Sequence, residues 1–426
     1  VNRPVTSLYV HVPFCARKCE YCAFYSEAAN GEVVNRYVAA LVRELEFIAD
    51  DCRPGTIFFG GGTPSLLNLR QWETLLSAMA GHGLLGAAEW TVECNPATVS
   101  SDKARLLREF GVNRISMGVQ SLDEQLLDRL GRVHSREQVF RSFDTLREAG
   151  FAEVNVDLMF ALPGQTLAVW EATLAEALAL GSEHLSSYEV IYEEDTPLFA
   201  QLNAGRFAVD EDLACAMYET LIERAESAGL RQYEVANFAR DHAGAKPEDD
   251  PLIPGHACRH NVNYWRGGSF HGLGPSATSY VRGVRARNWA NTQLYCEQLE
   301  QGRCAQESRE ELSPLGRAGE TAAFGLRMVA GWPFADFQRV TGFDLRQEWS
   351  AELQTLEQRS WGVRHADRFQ LTRQGLRFAD AAAEMMLRPG NGEALPRADC
   401  NTVGADVRRL GVTRDESLLT SAPTGF

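Results

Sequence analysis

Read for hydrophobic and polar spacing, the first half of the chain alternates between short apolar runs and longer stretches of helical period. SLYVHV (7–12), TIFF (56–59), EWTVEC (89–94), RISMGV (114–119), EVNVDLMF (153–160) and LSSYEVI (185–191) read as strands. Most are too apolar to turn one face to water, which suits a parallel sheet covered by helices. Helical spacing fills the gaps, at 32–50, 66–80, 101–110, 121–130, 135–149 and 166–180. Several of these stretches close on glycine, as in REFG and LREAG, a helix-stop signal. Six strand–helix units in succession predict an α/β fold, a partial (β/α)6 barrel with its chemistry at the C-terminal ends of the strands. QYEVAN (232–237) is expected to add an edge strand.

Residues 1–240 are thus read as the barrel core. DHAGAKPEDDPLIPG (241–255) is polar and rich in proline and acid, and reads as an excursion loop opening a linking segment, 241–285. Residues 286–388 are expected to form a smaller, mainly helical accessory domain ending in a hairpin and a helix. The tail, 389–426, lacks periodicity and is expected to be loosely ordered.

The chain has 426 residues and a net charge of −15, a balance that argues against a dedicated nucleic-acid binder. No apolar run is long enough to span a bilayer, and residues 1–14 lack the apolar segment of a signal peptide. Cys52, Cys94, Cys215, Cys258, Cys296, Cys304 and Cys400 are scattered and suggest no disulfide framework. Reduced thiols in a cytoplasmic protein are the expectation.

The opening cysteines are different. VPFCARKCEYCAF (12–24) places Cys15, Cys19 and Cys22 within eight residues, in a loop after the first strand. A structural zinc site normally closes with four ligands, and Cys258 or a histidine could supply the fourth. The other reading is an iron–sulfur cluster held by three thiolates, which leaves one iron open to metal-assisted chemistry. FFGGGTPS (58–65), after the second strand, reads as a plain tight turn or as a backbone able to approach a ligand closely.

The C-x3-C-x2-C spacing resembles that of the radical S-adenosylmethionine (SAM) superfamily. YVHVPFC, GGGTPS, ECNP, SMGVQS and NVDLMFALPGQT occur in order, and together they resemble the HemN/HemW group over residues 5–380. The resemblance implies a [4Fe–4S] cluster on Cys15, Cys19 and Cys22. Its open iron would bind SAM, whose reductive cleavage yields a 5′-deoxyadenosyl radical. It further implies that Tyr9 and Tyr21 flank the cofactor, that Gly61, Gly62 and Thr63 support the methionine end of SAM, and that Glu93 binds the ribose hydroxyls. Gln120, Arg132 and Asp157 match further SAM-site positions. Asp157 lies in an apolar strand, where a carboxylate needs a partner. Arg132 taken alone also reads as a surface charge in a turn.

The group divides into oxygen-independent coproporphyrinogen III oxidases and heme-binding proteins that deliver heme to acceptor proteins. The oxidases carry a further cysteine where this chain has Phe24, and a longer lead before the first strand. CRHNVNYWRGG (258–268) resembles the HNxxYW motif of the heme-binding type, implying heme contacts from His260, Asn261, Tyr264 and Trp265. Cys258 is a second possible axial ligand. Without the resemblance, a core histidine with two packed aromatics describes that stretch equally. GLGPSATSY (272–280) departs from the related GLGPGAHS, with Ser276 for a glycine and Thr278 for the histidine. His271 and Thr278 are therefore not expected to carry chemistry. The reading is a heme-delivering protein with an electron donor and heme-acceptor proteins as partners. Porphyrinogen oxidation, or radical chemistry on another small molecule, is the alternative, so whether the chain is an enzyme stays open.

Overall fold

The computed structural model describes residues 3–242, 250–388 and 393–394. Six parallel strands lie side by side in chain order: β1 Val5–Val12, β2 Cys52–Gly61, β3 Glu89–Cys94, β4 Arg114–Gln120, β5 Glu153–Phe160 and β6 His184–Glu189. The crossover helices between them include Gly31–Ile48, Leu69–Gly81, Ser101–Glu109, Arg136–Glu148 and Leu167–Ala179. These elements fall where the periodicity places them. The helices start on side-chain caps, with full capping boxes at Asn68/Gln71 and Ser135/Gln138. Those in REFG and LREAG stop at Gly111 and Gly150, whose φ of 103° and 88° are open to glycine at little cost.

The alternation within the strands positions the site. Val92, Ile115, Met117, Val119, Val154, Val156, Leu158 and Leu185 pack into the main hydrophobic core. Their neighbours Glu93, Ser116, Gly118, Asn155, Asp157 and Ser186 line the inside of the barrel. Both faces are buried, but one of them is polar.

Among the described residues the sheet has nine strands, not six: with β7 (Arg231–Gln232), β8 (Asn237–Ala239) and β9 (His271–Leu273) the order is β9–β1–β2–β3–β4–β5–β6–β8–β7. QYEVAN is not one strand. The chain doubles back there, so β7 (Arg231–Gln232) and β8 (Asn237–Ala239) pair antiparallel, with β8 also antiparallel to β6. β9 (His271–Leu273) adds in parallel to the outer edge of β1, so the main sheet continues past residue 240.

The C-terminal portion is largely helical, with two small sheets, of which the second contains the expected hairpin, Gly362–Arg364 antiparallel to Arg368–Leu371, ahead of the helix Ala379–Met386. β10 (Thr278–Val281), β11 (Val284–Asn288), β12 (Gln306–Glu311) and the short Glu393–Ala394 form one. Trp332–Pro333, Gly362–Arg364 and Arg368–Leu371 form the other. A separate core of Trp332, Phe334, Phe337, Trp349, Leu353 and Phe369 lies here, with Trp349 Nε1 donating to the Met386 carbonyl at 2.8 Å. The remainder of the tail and residues 243–249 of the excursion lie outside the described residues.

Glu44, buried on the first crossover helix, ties that helix to the later chain. It accepts from Gly274 N at 2.8 Å, Asn288 Nδ2 at 2.6 Å and Tyr295 Oη at 2.6 Å. Burial outweighs these donors and lifts its carboxyl from 4.5 to about 7. A raised folded-state value favours the protonated form. This contribution is therefore complete below about pH 4.5 and is lost as pH rises through about 7. Denaturant midpoints for wild type and Glu44→Gln, taken across that window, should show wild type losing on the order of 3 kcal/mol relative to the variant. Parallel pH profiles would refute the assignment.

Candidate functional site

The loop after β1 folds over the C-terminal end of the barrel. Phe14–Cys15 pairs with Glu27–Ala28, closing the loop on itself. The glycine turn after β2 holds it down, with Gly62 N donating to the Val12 carbonyl at 2.8 Å and Thr63 N to the Phe14 carbonyl at 2.7 Å. A Cβ on Gly62 would sit 2.7 Å from the Phe14 carbonyl oxygen, so only glycine permits this approach. Gly61, at φ 103°, packs against the His11 ring. Tyr9 Oη in turn meets His11 Nδ1 at 3.0 Å, and His11 Nε2 meets the Tyr25 carbonyl at 2.9 Å.

Cys15, Cys19 and Cys22 are half-buried and open onto one cavity. Arg132 Nη1 donates to Cys19 Sγ at 3.4 Å and Thr63 Oγ1 to Cys15 Sγ at 3.7 Å. Burial pushes the Cys22 thiol to about 11 and raises Cys15 as well. Thiolate formation here therefore depends on a bound cation displacing the protons. Arg132 Nε is buried with no hydrogen-bond partner, while Nη2 donates to the Gly118 carbonyl at 2.6 Å. Three convergent thiols, a glycine cradle and an orphaned guanidinium nitrogen fit a polynuclear cluster with an anionic ligand beside it.

The cavity encloses about 1320 Å³ including its open mouth, and Tyr21, Gly61, Gly62, Thr63, Glu93, Gln120, Arg132 and Asp157 all line it. Asp157 accepts from Ser116 Oγ at 3.0 Å and Asn155 Nδ2 at 2.6 Å, the partners a buried carboxylate needs. Burial, and then the Asp157 charge, lift Glu93 to about 8. Gln120 ends β4 at φ 66°, just past a break in register with β5. Tyr9 does not line the cavity; it is buried behind it, stacked on Phe58 at 6.3 Å.

The HNxxYW stretch forms the helix Arg259–Trp265, seated at the opposite end of the barrel. Glu89, at the start of β3, accepts from Arg259 N at 2.8 Å and His260 N at 2.9 Å, fixing the helix N-terminus. His260 is wholly buried. Its Nδ1 meets Thr56 Oγ1 at 2.9 Å, its Nε2 meets Tyr264 Oη at 2.7 Å, and its ring stacks on Phe58 at 5.3 Å. Burial, with Arg114 nearby, holds the imidazole neutral, down at about 3. Trp265 is buried under Phe324, and Arg327 lies over its ring. Cys258 is buried against Glu89, its thiol raised to about 12. Of these residues only Asn261 reaches the cavity.

Arg114, Ser116, Asn155, His184, Ser186 and Tyr188 also line the cavity and were not picked out from the sequence. Their signal was available as the strict alternation R-I-S-M-G-V-Q and its counterparts in β5 and β6. His271 faces Asp51 at 3.4 Å, and Thr278 lies in β10; neither lines the cavity. Ser276 takes φ 64°, the left-handed conformation that suits the glycine of related chains.

A part-barrel with three thiols at its mouth and polar side chains along its inner wall has the layout of a radical SAM protein. The Radical SAM superfamily model matches residues 9–177, and the HemN C-terminal domain model matches residues 312–378. Curated relatives include "Heme chaperone HemW" of Bacillus subtilis, 35% identical over 76% of this chain and 84% of its own length. The Escherichia coli protein of that name is 33% identical over 91% and 99%. A solved structure of coproporphyrinogen III oxidase (HemN) from Escherichia coli shares the fold, with a TM-score of 0.75 at 21% identity over 90% of both chains. The chain belongs to the HemW family of radical SAM proteins. Membership in the superfamily implies a [4Fe–4S] cluster and SAM. No helix among the described residues is long and apolar enough to cross a membrane.

Gly62→Ala should cost roughly 1–3 kcal/mol in stability and lower the iron retained per chain after reconstitution. Wild-type iron content and thermal midpoint in that variant would refute the close-approach argument. With Glu93 as the ribose acceptor that the family resemblance implies, SAM affinity should rise between about pH 7 and 9 as Glu93 ionises, since a carboxylate accepts from hydroxyls more strongly than a carboxylic acid does. In Glu93→Gln the affinity should be lower, and the part of that pH dependence owed to Glu93 should vanish. Calorimetry on both proteins across the range checks this.

Proposed function

We propose that this chain binds heme and hands it to acceptor proteins in the cytoplasm, as a [4Fe–4S] and SAM protein. The observation that carries this reading is the match to curated heme chaperones over 84% and 99% of their lengths. Cys15, Cys19 and Cys22 would hold the cluster, with Thr63 and Arg132 orienting the sulfurs. The cluster, when bound and reduced, supplies an open iron for SAM and an electron for it. Gly61, Gly62 and Thr63 offer backbone to the methionine end, Glu93 accepts from the ribose, and Gln120, Arg132 and Asp157 complete the wall. An external electron donor is required.

For heme we take the HNxxYW helix as the contact, with His260 as axial ligand. Both ring nitrogens of His260 are occupied in the closed conformation, so heme must meet an opened helix. The apparent affinity is then the intrinsic one reduced by the fraction open. Phe24 lines the cavity mouth at the position where the resembling oxidases place a cysteine, which favours carriage over porphyrinogen oxidation.

An anaerobic heme titration of cluster-loaded protein, followed by absorbance, tests this. Wild type should saturate, and His260→Ala should bind at least about tenfold more weakly. Tyr264→Phe, which frees Nε2, should bind about as tightly as wild type or more so. Unchanged affinity in His260→Ala would move the heme site elsewhere. Absence of heme binding together with turnover of coproporphyrinogen III would replace carriage with catalysis.

A further inference from the structure

The barrel cavity does not end at the SAM-site residues. Inward-facing positions on β4 run from Gln120 near the thiols down to Arg114, six residues and about 20 Å of strand. Arg114 is 4% exposed and lines the cavity floor. Its one hydrogen bond to a described side chain is a long one, Nη1 to Thr91 Oγ1 at 3.4 Å. Among the described residues no carboxylate lies within ion-pair distance of it. The nearest acids are engaged elsewhere. Glu89 accepts the amides of Arg259 and His260, Glu153 meets His256 Nδ1 at 2.6 Å, and Asp157 is bonded to Ser116 and Asn155. A guanidinium carries five N–H donors in a fixed fork, and a desolvated one demands acceptors.

Asn261 closes the floor from the HNxxYW helix. It is 6% exposed, it lines the same cavity, and its Oδ1 has no hydrogen-bond partner. A half-turn of the amide presents Nδ2 instead. A buried guanidinium, its charge offset at a distance by Glu89 and Glu153 but its donors largely unused, thus shares one cavity with a buried amide oxygen that lacks a partner.

We propose that the floor of the barrel is an anion subsite in which Arg114 and Asn261 receive a carboxylate of a ligand lying deeper than the SAM-site residues. The guanidinium fork matches a carboxylate in two-point geometry, and the Asn261 amide donates a further hydrogen bond. The subsite selects molecules that combine a carboxylate with enough length to reach past Asp157, and it stands whether or not heme is the cargo.

Calorimetric titration of anaerobic, cluster-loaded full-length protein with glutarate tests this, with neutral glutaramide as the control. Wild type should bind glutarate saturably and glutaramide at least about tenfold more weakly. Asn261→Asp sets a like charge against the ligand at unchanged size, and Arg114→Gln removes the fork; each should lower glutarate affinity at least about tenfold. Should Arg114→Gln fail to fold, Arg114→Lys, which keeps the charge without the fork, stands in its place beside Asn261→Asp. No glutarate binding by wild type, equal binding of glutaramide, or unchanged affinity in the folded variants would overturn the subsite.

Discussion

The inner face of this sheet is at once buried and polar, and most of the architecture answers that constraint. A polar group removed from water must find a partner, and a fully packed barrel would supply apolar ones. Here Asn155, Asp157 and Ser116 satisfy one another, and His184 joins Asn155 at 2.7 Å and Tyr233 at 2.8 Å. Among the groups left without a partner are Arg132 Nε and Asn261 Oδ1, on residues that line the cavity. The outer face, meanwhile, can be wholly apolar, and it packs the helices into one continuous core.

That division explains what could be read from the sequence. The outer face sets the hydrophobic runs, so the six strands, their order and their helices were visible in the spacing. The thiol loop, the glycine turn and Asp157 stood out because their residue types are unusual in such runs, whereas Glu93 came only with the family resemblance. Arg114, Ser116, Asn155 and Ser186 did not, because a single polar residue between two apolar ones reads as ordinary alternation toward water. β9 was missed, and β7–β8 were read as a single edge strand, because three-residue and two-residue strands carry no period of their own; the pairing partner defines them. β12, QESREE, is so charged that only its place between β11 and the chain's end makes it a strand.

The HNxxYW stretch shows the limit of a motif without a fold. Its residue types suit a porphyrin, and they equally suit a plug: His260 bridges Thr56 to Tyr264, and Glu89 pins the helix N-terminus. A residue satisfied on both ring nitrogens is a poor ligand until something moves. The same helix floors the cavity through Asn261, so any opening for heme also changes the cavity floor.

The pairing of β9 with β1 has a consequence for how the chain reaches this fold. Leu8 pairs with His271, a partner about 260 residues later in the chain. During synthesis β1 keeps one hydrogen-bonding edge unmet until about 260 further residues have been made. The helix that floors the barrel emerges just before that partner. Through that interval β1 presents an open, apolar sheet edge of the kind that chaperones exist to shield.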